Sequence, residues 1–318
     1  MKHLIAVLLS LCAGLPVAGA AEKIRIGFPD LAAQFLPLPL AEIKGFFQEE
    51  GLQAEFIRIR PAISSAAIVA GELDYDAVIG NGIGAAIRGF PVKIVASFVP
   101  AAPMALIARP EFKSVPELRG KAIGLNTYGG TLESIGRLIF KHYGLDPDKD
   151  AKFLPTGTLD SRFAAMKQGL TAATLGSPPI DFLGKKLGFV VLARAHELFN
   201  FPASGLVASM RKIKEKPDEI KRVIKAGIKA NRYIQQNREG TLPVMIAWLK
   251  IDKEIAAVTY DSVVKAFNDD GGVPENGLRL GIDEARRVGK VDREVSLSEV
   301  ADLAILREAQ KELGIKAK

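Results

Sequence analysis

Short apolar runs alternate along the chain with longer stretches in which apolar residues recur every three or four positions. The run Lys23–Phe28 predicts a first strand, and Leu40–Glu50 predicts a helix after a loop that contains prolines. A strand at Leu73–Ile79 and a helix at Ile83–Arg88 are predicted farther along. Alternation of strand and helix is typical of an α/β protein with a mainly parallel sheet between helices.

The same order of elements begins again in the second hundred residues. A strand at Lys121–Gly124, a helix at Thr131–Tyr143 and a strand at Thr171–Leu175 repeat the earlier series. Glycines such as Gly27 and Gly124 mark matching positions at a spacing of about 97 residues. The sequence therefore predicts two α/β lobes built on one plan.

Two stretches rich in proline, glycine and alanine mark the places where the chain passes between the lobes. Pro100–Pro103 precedes a predicted strand at Met104–Ala108, and Phe201–Gly205 precedes one at Leu206–Ser209. The predicted division of the chain is a leader at 1–20, a first lobe at 21–101 and 208–318, and a second lobe at 102–207.

The last third of the chain is predicted to be helical. Asp218–Asn237 carries an apolar stripe between lysines and arginines, as in a helix that packs on a core by one face. Helices are also predicted at Leu242–Leu249, Glu254–Phe267 and Leu297–Leu313, whereas the glycine-rich and asparagine-containing segment Asp269–Gly281 is predicted to be a loop. We expect these C-terminal helices to pack on the first lobe.

The first twenty residues have the pattern of a cleavable secretory leader. Lys2 and His3 precede the apolar run Leu4–Val17, and Ala18-Gly19-Ala20 has the small residues of a cleavage site. Cys12, the only cysteine of the 318-residue chain, lies within this leader. The mature protein is therefore expected to be exported and to have neither disulfides nor thiol chemistry.

Charge and motifs narrow the expected function. Lysine and arginine total 43 against 36 acidic residues, but no cluster of basic residues supports nucleic acid as a partner. The segment Gly80–Ala85 has the local pattern of a dinucleotide-binding turn but lacks the acidic residue expected about 20 positions later. His142 and His196 lack the spacing of metal ligands. We expect no catalytic group, no metal and no cofactor.

Several motifs together resemble one family. They are Lys23-Ile24-Arg25-Ile26-Gly27-Phe28, Gly45-Phe46-Phe47, Glu50-Gly51-Leu52, Ala70-Gly71-Glu72-Leu73-Asp74-Tyr75, Leu118-Arg119-Gly120-Lys121, Gly129-Gly130-Thr131 and Phe201-Pro202-Ala203-Ser204-Gly205-Leu206-Val207. On these residues the chain resembles the nitrate/sulfonate/taurine and thiamine-precursor group of ABC-transporter substrate-binding proteins. The resemblance implies a type II periplasmic-binding-protein fold, with two α/β lobes, a ligand cleft between them and two hinge crossings. It also implies a monomer in the periplasm that delivers a small-molecule ligand to a cognate ABC permease and its ATPase.

The resemblance further implies that loops at the strand ends of both lobes hold the ligand. The implied binding residues are Asp30, Phe35, Arg60, Ser64, Asn81 and Gly82 in the first lobe, and Thr127, Tyr128, Gly129, Gly130, Thr131, Ser177 and Pro178 in the second. For Arg60, a solvated charge at a strand end is an equally good interpretation. Thr131 is also expected to cap the helix that it begins, beside backbone N–H groups open to an anion or a carbonyl.

The expected ligand is a small organic anion or a planar molecule, aromatic or pyrimidine-like, because the implied groups are amides, hydroxyls, helix N-termini and aromatic rings. Ser177 stands where amino-sulfonate binders have an aspartate, which argues against a cationic or zwitterionic ligand.

Two alternatives remain. Enzymes on the same scaffold make a thiamine pyrimidine or dehydrate chorismate. The first kind has a cysteine-rich, histidine-dependent site and the second is cytosolic, so the leader and the cysteine-free mature chain disfavour both. A receptor sensor domain is a weaker alternative, because neither a membrane-spanning segment nor a signalling domain is evident.

Overall fold

The computed structural model describes residues 21–126 and 128–316, which form two five-stranded sheets covered by helices. The predicted leader at 1–20, with its Cys12, and Thr127 lie outside the described residues. Within the described residues, no helix combines the length and the apolar character needed to cross a membrane.

The elements follow one another in three groups. The first is β1 (Glu22–Phe28), α1 (Pro37–Ile43), α2 (Phe46–Glu49), β2 (Leu52–Arg58), α3 (Pro61–Ala70), β3 (Tyr75–Val78), α4 (Ile79–Ile87) and β4 (Val92–Val99). The second is β5 (Ala105–Ala108), β6 (Lys121–Leu125), α5 (Thr131–His142), β7 (Ala151–Pro155), α6 (Leu159–Lys167), β8 (Ala173–Gly176), α7 (Ile180–Lys186), β9 (Val190–Arg194) and α8 (Ala195–Leu198). The third is β10 (Ser204–Ser209), α9 (Met210–Glu215), α10 (Pro217–Gln236), α11 (Arg238–Leu249), α12 (Lys253–Val263), α13 (Glu275–Gly289), α14 (Leu297–Val300) and α15 (Ala304–Glu312). Short 3-10 turns occur at Ala33–Phe35, Val115–Leu118 and Val264–Ala266.

The two sheets have the same topology. Their strand orders are β2-β1-β3-β10-β4 and β7-β6-β8-β5-β9. In each sheet the first three strands are parallel, and the next strand, β10 or β5, runs antiparallel to both of its neighbours. The predicted α/β fold of two lobes on one plan is therefore confirmed.

Strands β5 and β10 show where the chain passes between the lobes. The segment 100–104 leads into β5 of the second sheet, and 199–203 leads back into β10 of the first sheet. Because β10 begins at Ser204 and pairs with β3 and β4, residues 204–207 belong to the first lobe. The predicted boundary at 207/208 is therefore several residues too late.

Helix α10 anchors the C-terminal helices to the first lobe. The apolar stripe predicted along it is fully buried, and it consists of Ile220, Val223, Ile224, Ile228 and Ile234. The helix lies between α1 and α15, while α13 packs on α4 of the same lobe. The expected packing of these helices on the first lobe is confirmed.

Helix α13 contradicts the loop predicted at Asp269–Gly281. A Cβ atom built on Gly281 would lie 2.6 Å from Cδ1 of Ile83, and one built on Gly277 would lie 3.0 Å from Cβ of Asn200. These glycines thus allow the helix to approach its neighbours closely. The contacts with the first lobe outweigh the low helix propensity of glycine.

Two predicted helices are each divided in two. The helix at Leu40–Glu50 is interrupted at Gly45, whose φ of 80° separates α1 from α2. The helix at Leu297–Leu313 is interrupted at Ala301, which is extended and forms a parallel bridge with Ile94. In the second case a contact with the sheet edge, which is remote in sequence, ends the helix.

Candidate functional site

The predicted binding segments of the first lobe lie where its parallel strands end. Asp30 follows β1, Arg60 follows β2, and Asn81 follows β3. The carboxyl ends of parallel strands share one edge of a sheet, which is where ligands bind in open α/β folds. The described segments of the second lobe follow β6 and β8 in the same way.

A buried polar network joins three of these elements. The Asn81 Nδ2 group donates to Asp76 Oδ2 at 3.1 Å and lies 3.4 Å from Ser64 Oγ. The backbone N–H of Val78 donates to Asp76 Oδ1 at 2.8 Å. Asp76 and Ser64 are each 1% exposed. Burial raises the pKa of the Asp76 carboxyl, while its hydrogen bonds with Ser64, Val78 and Asn81 act in the opposite direction.

Asp76 is absent from the predicted site. The available signal is a carboxylate in a strand whose other residues, Tyr75, Ala77 and Val78, are mostly apolar. A buried acid needs hydrogen-bond partners, and these lie on two other elements.

The segment Gly80-Asn81-Gly82 is not a turn between a strand and a helix, because α4 begins at Ile79 and includes all three residues. A Cβ atom built on Gly82 would lie 2.6 Å from Cγ2 of Val207, so Gly82 is a packing position against β10. A Cβ atom built on Gly80 would meet no other atom within 4 Å. Gly80 therefore borders open space, whereas Gly82 does not.

The other predicted residues of the first lobe differ in exposure. Asp30 is exposed as a residue. Partial burial of its carboxylate raises the pKa of this group, and the charge of nearby Arg58 acts in the opposite direction. Arg60 is exposed at the start of α3. Phe35 is 1% exposed, and its ring lies 6.4 Å from that of Phe28. The predicted ligand contact of Phe35 is contradicted, because the ring belongs to the hydrophobic core.

In the second lobe, a glycine turn leads into α5. Gly129 has a φ of 69°, and its N–H donates to Glu133 Oε2 at 2.8 Å. The N-cap residue of α5 is Gly130, without a side-chain cap. Thr131 is thus the first helical residue and not the predicted cap. Tyr128 is 61% exposed beside this turn.

The segment after β8 borders a recess between the lobes. Ser177 is half-buried, Pro178 is buried, and Asp181 on α7 forms an ion pair with Arg194 at 2.9 Å. The recess has a volume of about 400 Å³ and separates α7 and α8 from α12. His196 lines it, and burial lowers the pKa of this imidazole. In the described part of the chain, no group of three or more His, Cys, Asp or Glu residues could hold a metal ion.

An ion cluster connects α5 of the second lobe with α13 of the first. Arg287 lies 3.5 Å from Glu133 and 2.9 Å from Glu284, and Lys141 lies 3.9 Å from Glu284. Arg137 completes this interlobe cluster at 3.9 Å from Glu133. The cluster has no signal in the sequence, because Glu133 and Arg287 are 154 positions apart.

Glu133 links the cluster to the predicted binding turn. One of its oxygens accepts from the Gly129 N–H and the other faces Arg287. A Cβ atom built on Gly129 would lie only 3.1 Å from Cγ1 of Val288 on α13. The turn of the second lobe thus touches the first lobe directly.

Comparison with known proteins assigns this architecture to a family. The model of the family described as "NMT1/THI5 like" matches residues 32–240. The chain belongs to this family. A Brucella abortus protein named as a candidate binding protein is 30% identical over 221 residues, 67% of each chain. The family expected from the sequence is confirmed.

Solved structures share the fold of this NMT1/THI5-like protein. A periplasmic sulfonate-binding protein of Methylobacillus flagellatus has a TM-score of 0.74 at 16% identity, covering 94% of this chain and 96% of the other. The nitrate-binding protein of Synechocystis has a TM-score of 0.70 at 14% identity, with coverages of 92% and 89%. The periplasmic-binding-protein fold is therefore confirmed.

Proposed function

We propose that this member of the NMT1/THI5-like family is the solute-binding component of an ABC importer. The observation that carries the proposal is the pair of sheets of identical strand order, joined by two crossing segments and carrying polar groups at their carboxyl edges. A ligand that contacts both edges stabilises the closed arrangement over the open one. A permease with its ATPase then receives the ligand from the closed protein.

The relatives support a small-molecule ligand. The Methylobacillus protein is named for sulfonate and the Synechocystis protein for nitrate. In this chain the candidate contacts are Asp30, Arg60 and Asn81 on one side, and Tyr128 and the α5 end on the other. They suit a small organic anion or a planar, aromatic or pyrimidine-like molecule. The proposal places the protein in the periplasm as a monomer.

The direct test is to identify what the protein carries. The full chain is produced through its native export route and purified, and the small molecules released on denaturation are identified by mass spectrometry. Protein that has been unfolded and refolded without ligand serves as the empty control. We expect one compound in repeated preparations, and its return to the empty protein should reduce the radius of gyration in small-angle scattering.

Two results would contradict the proposal. One is the absence of any bound compound together with no compaction in nitrate, ethanesulfonate, benzoate or 4-amino-2-methylpyrimidine. The other is conversion of the compound by the protein, which would favour an enzyme on the same scaffold.

A further inference from the structure

The orientation of one amide is determined by a buried carboxylate. Both oxygens of Asp76 receive hydrogen bonds, from the Val78 N–H and from Asn81 Nδ2. Because both oxygens act as acceptors, the NH2 group of Asn81, and not its carbonyl oxygen, faces Asp76. Ser64 accepts weakly from the same NH2 group at 3.4 Å.

The other end of the Asn81 amide is unused. Within the described residues, Oδ1 of Asn81 accepts no hydrogen bond. Asn81 is half-buried in the first turn of α4, beside Gly80, where a Cβ atom would meet nothing within 4 Å. The amide thus offers a hydrogen-bond acceptor at the carboxyl edge of the first sheet.

In the second lobe, an acidic residue lies in the first turn of α5, the helix that follows β6. The carboxylate of Glu133 lies in the first turn of α5 and takes the Gly129 N–H at 2.8 Å. This carboxylate is paired with Arg287 and Arg137, so its charge is already partly balanced. The free atom of the Asn81 amide is an acceptor, which an anion without a donor group cannot satisfy and a ligand with a donor group can.

We propose that Asn81 Oδ1 is a specificity-determining contact that accepts a hydrogen bond from an N–H or O–H group of the ligand. Asp76 is the positioning residue that keeps the acceptor facing outward. The proposal rests on the proposed solute-binding function and narrows it to ligands that bear such a donor. Nitrate and unsubstituted alkanesulfonates lack one and are disfavoured.

The test uses three pairs of probes that differ in a single donor. They are isethionate and ethanesulfonate, 4-hydroxybenzoate and benzoate, and 4-amino-2-methylpyrimidine and 2,4-dimethylpyrimidine. Affinities are measured by isothermal titration calorimetry on the wild-type protein. In each pair that binds, we expect the donor-bearing member to bind about 10-fold more tightly.

Two variants separate recognition from positioning. Asn81→Leu removes the amide at similar size, so the ratio of affinities within a pair should fall to about one. Asp76→Asn leaves a partner that can donate or accept, so the Asn81 amide can turn. In Asp76→Asn the ratio of affinities within a pair should fall because the donor-free probe binds more tightly than it does to the wild type. Loss of structure would not produce such a gain in affinity. Asn276→Leu, at an exposed asparagine on α13, is the control and should keep the wild-type ratio.

The outcomes distinguish this inference from the proposed function. Equal affinities within a pair, or an unchanged ratio in Asn81→Leu, would overturn the inference, and an unchanged ratio in Asp76→Asn would overturn the positioning role. If no probe binds, the compound that co-purifies with the protein serves as the test. A compound without an N–H or O–H group at pH 7 would contradict the inference about Asn81 but not the proposed solute binding. The absence of any compound contradicts both. Far-UV circular dichroism of each variant establishes that it is folded.

Discussion

The two lobes differ at one matching position of their third parallel strand. Asp76 on β3 is in register with Gly27, and Thr174 on β8 is in register with Gly124. The Thr174 hydroxyl donates to the Gly124 carbonyl oxygen at 2.8 Å and is satisfied within its own sheet. The Asp76 carboxylate instead accepts a hydrogen bond from Asn81 Nδ2 at 3.1 Å. One side chain on a shared backbone plan thus decides whether the strand orients a polar group of the following helix.

The segments that follow these two matched strands also differ. In the first lobe α4 follows β3 without a loop, and the half-buried Asn81 lies in its first turn. In the second lobe the half-buried Ser177 and the buried Pro178 lie between β8 and α7. The first lobe therefore offers a side-chain acceptor after its third parallel strand, whereas the glycine turn of the second lobe follows β6, where Glu133 already accepts from the Gly129 N–H.

The largest expected effect concerns β10 and β5, the strands that the chain adds to each sheet directly after crossing from the other lobe. Ser204 of β10 and Ala105 of β5 both lie opposite the last residue of the third strand, and the residues after them are Gly205 and the buried Leu106. A Cβ atom on Gly205 would lie 2.1 Å from the Ala96 carbonyl oxygen. Gly205→Ala should therefore lower the free energy of unfolding by about 3 kcal/mol, measured by urea unfolding.

Gly80→Ala is the matched control, because a Cβ atom there meets no neighbour and the residue is helical. It should change the free energy of unfolding by less than about 1 kcal/mol. Equal effects of the two substitutions would show that β10 is not tightly packed between β3 and β4.

The next effect concerns the interlobe cluster. Glu133→Gln removes the charge that faces Arg287 and Arg137 but keeps an acceptor for the Gly129 N–H. The Glu133 side chain is 11% exposed, so the closed arrangement should lose about 1–2 kcal/mol relative to the open one. Fluorescence energy transfer between dyes on the two lobes should report a larger separation without ligand. An unchanged separation would mean that the cluster does not hold the lobes together.

The acids at 74 and 76 should respond to pH with opposite signs. Burial raises the pKa of Asp76, so its contribution to stability is greatest below the ordinary pKa and falls as pH rises through the folded-state pKa. Asp76→Asn should therefore gain stability relative to the wild type as pH rises from about 4, in urea unfolding at a series of pH values.

Asp74→Asn is the contrasting variant. Partial burial raises the pKa of Asp74, but the hydrogen bond from Lys212 and the Arg25 backbone N–H outweigh it and lower this pKa. That stabilisation is present above the ordinary pKa and is lost as pH falls through the folded-state pKa. Asp74→Asn should thus lose relative stability as pH rises, and the same sign for both variants would contradict the assignment.

The smallest effect is expected at an exposed ion pair between the lobes. Lys186 on α7 lies 3.5 Å from Glu254 on α12, with side chains 55% and 67% exposed. Lys186→Ala should change the free energy of unfolding by no more than about 0.5 kcal/mol and should leave the lobe separation unchanged. An effect as large as that of Glu133→Gln would mean that burial does not distinguish the two contacts.

Sequence patterns predicted the lobes better than the site. The repeated order of elements and the stripe of α10 could be read locally, because helix and strand place side chains on a face with fixed periods. The ligand contact predicted at Phe35 was wrong, because the local sequence does not show whether an aromatic residue in a loop is covered by the core. Gly277 and Gly281 were misread because a glycine at a close helix contact has the same local pattern as a glycine in a loop.

The sequence by itself determined two α/β lobes of one plan and an amphipathic C-terminal region, since these depend on local periodicity and on the repeat. Only the tertiary structure decided that Ser64, Asp76 and Asn81 form one network and that Glu133 faces Arg287. Such pairings depend on strand order, on the exchange of β5 and β10, and on close approach of α13. These are contacts between residues far apart in the chain, so no local pattern specifies them.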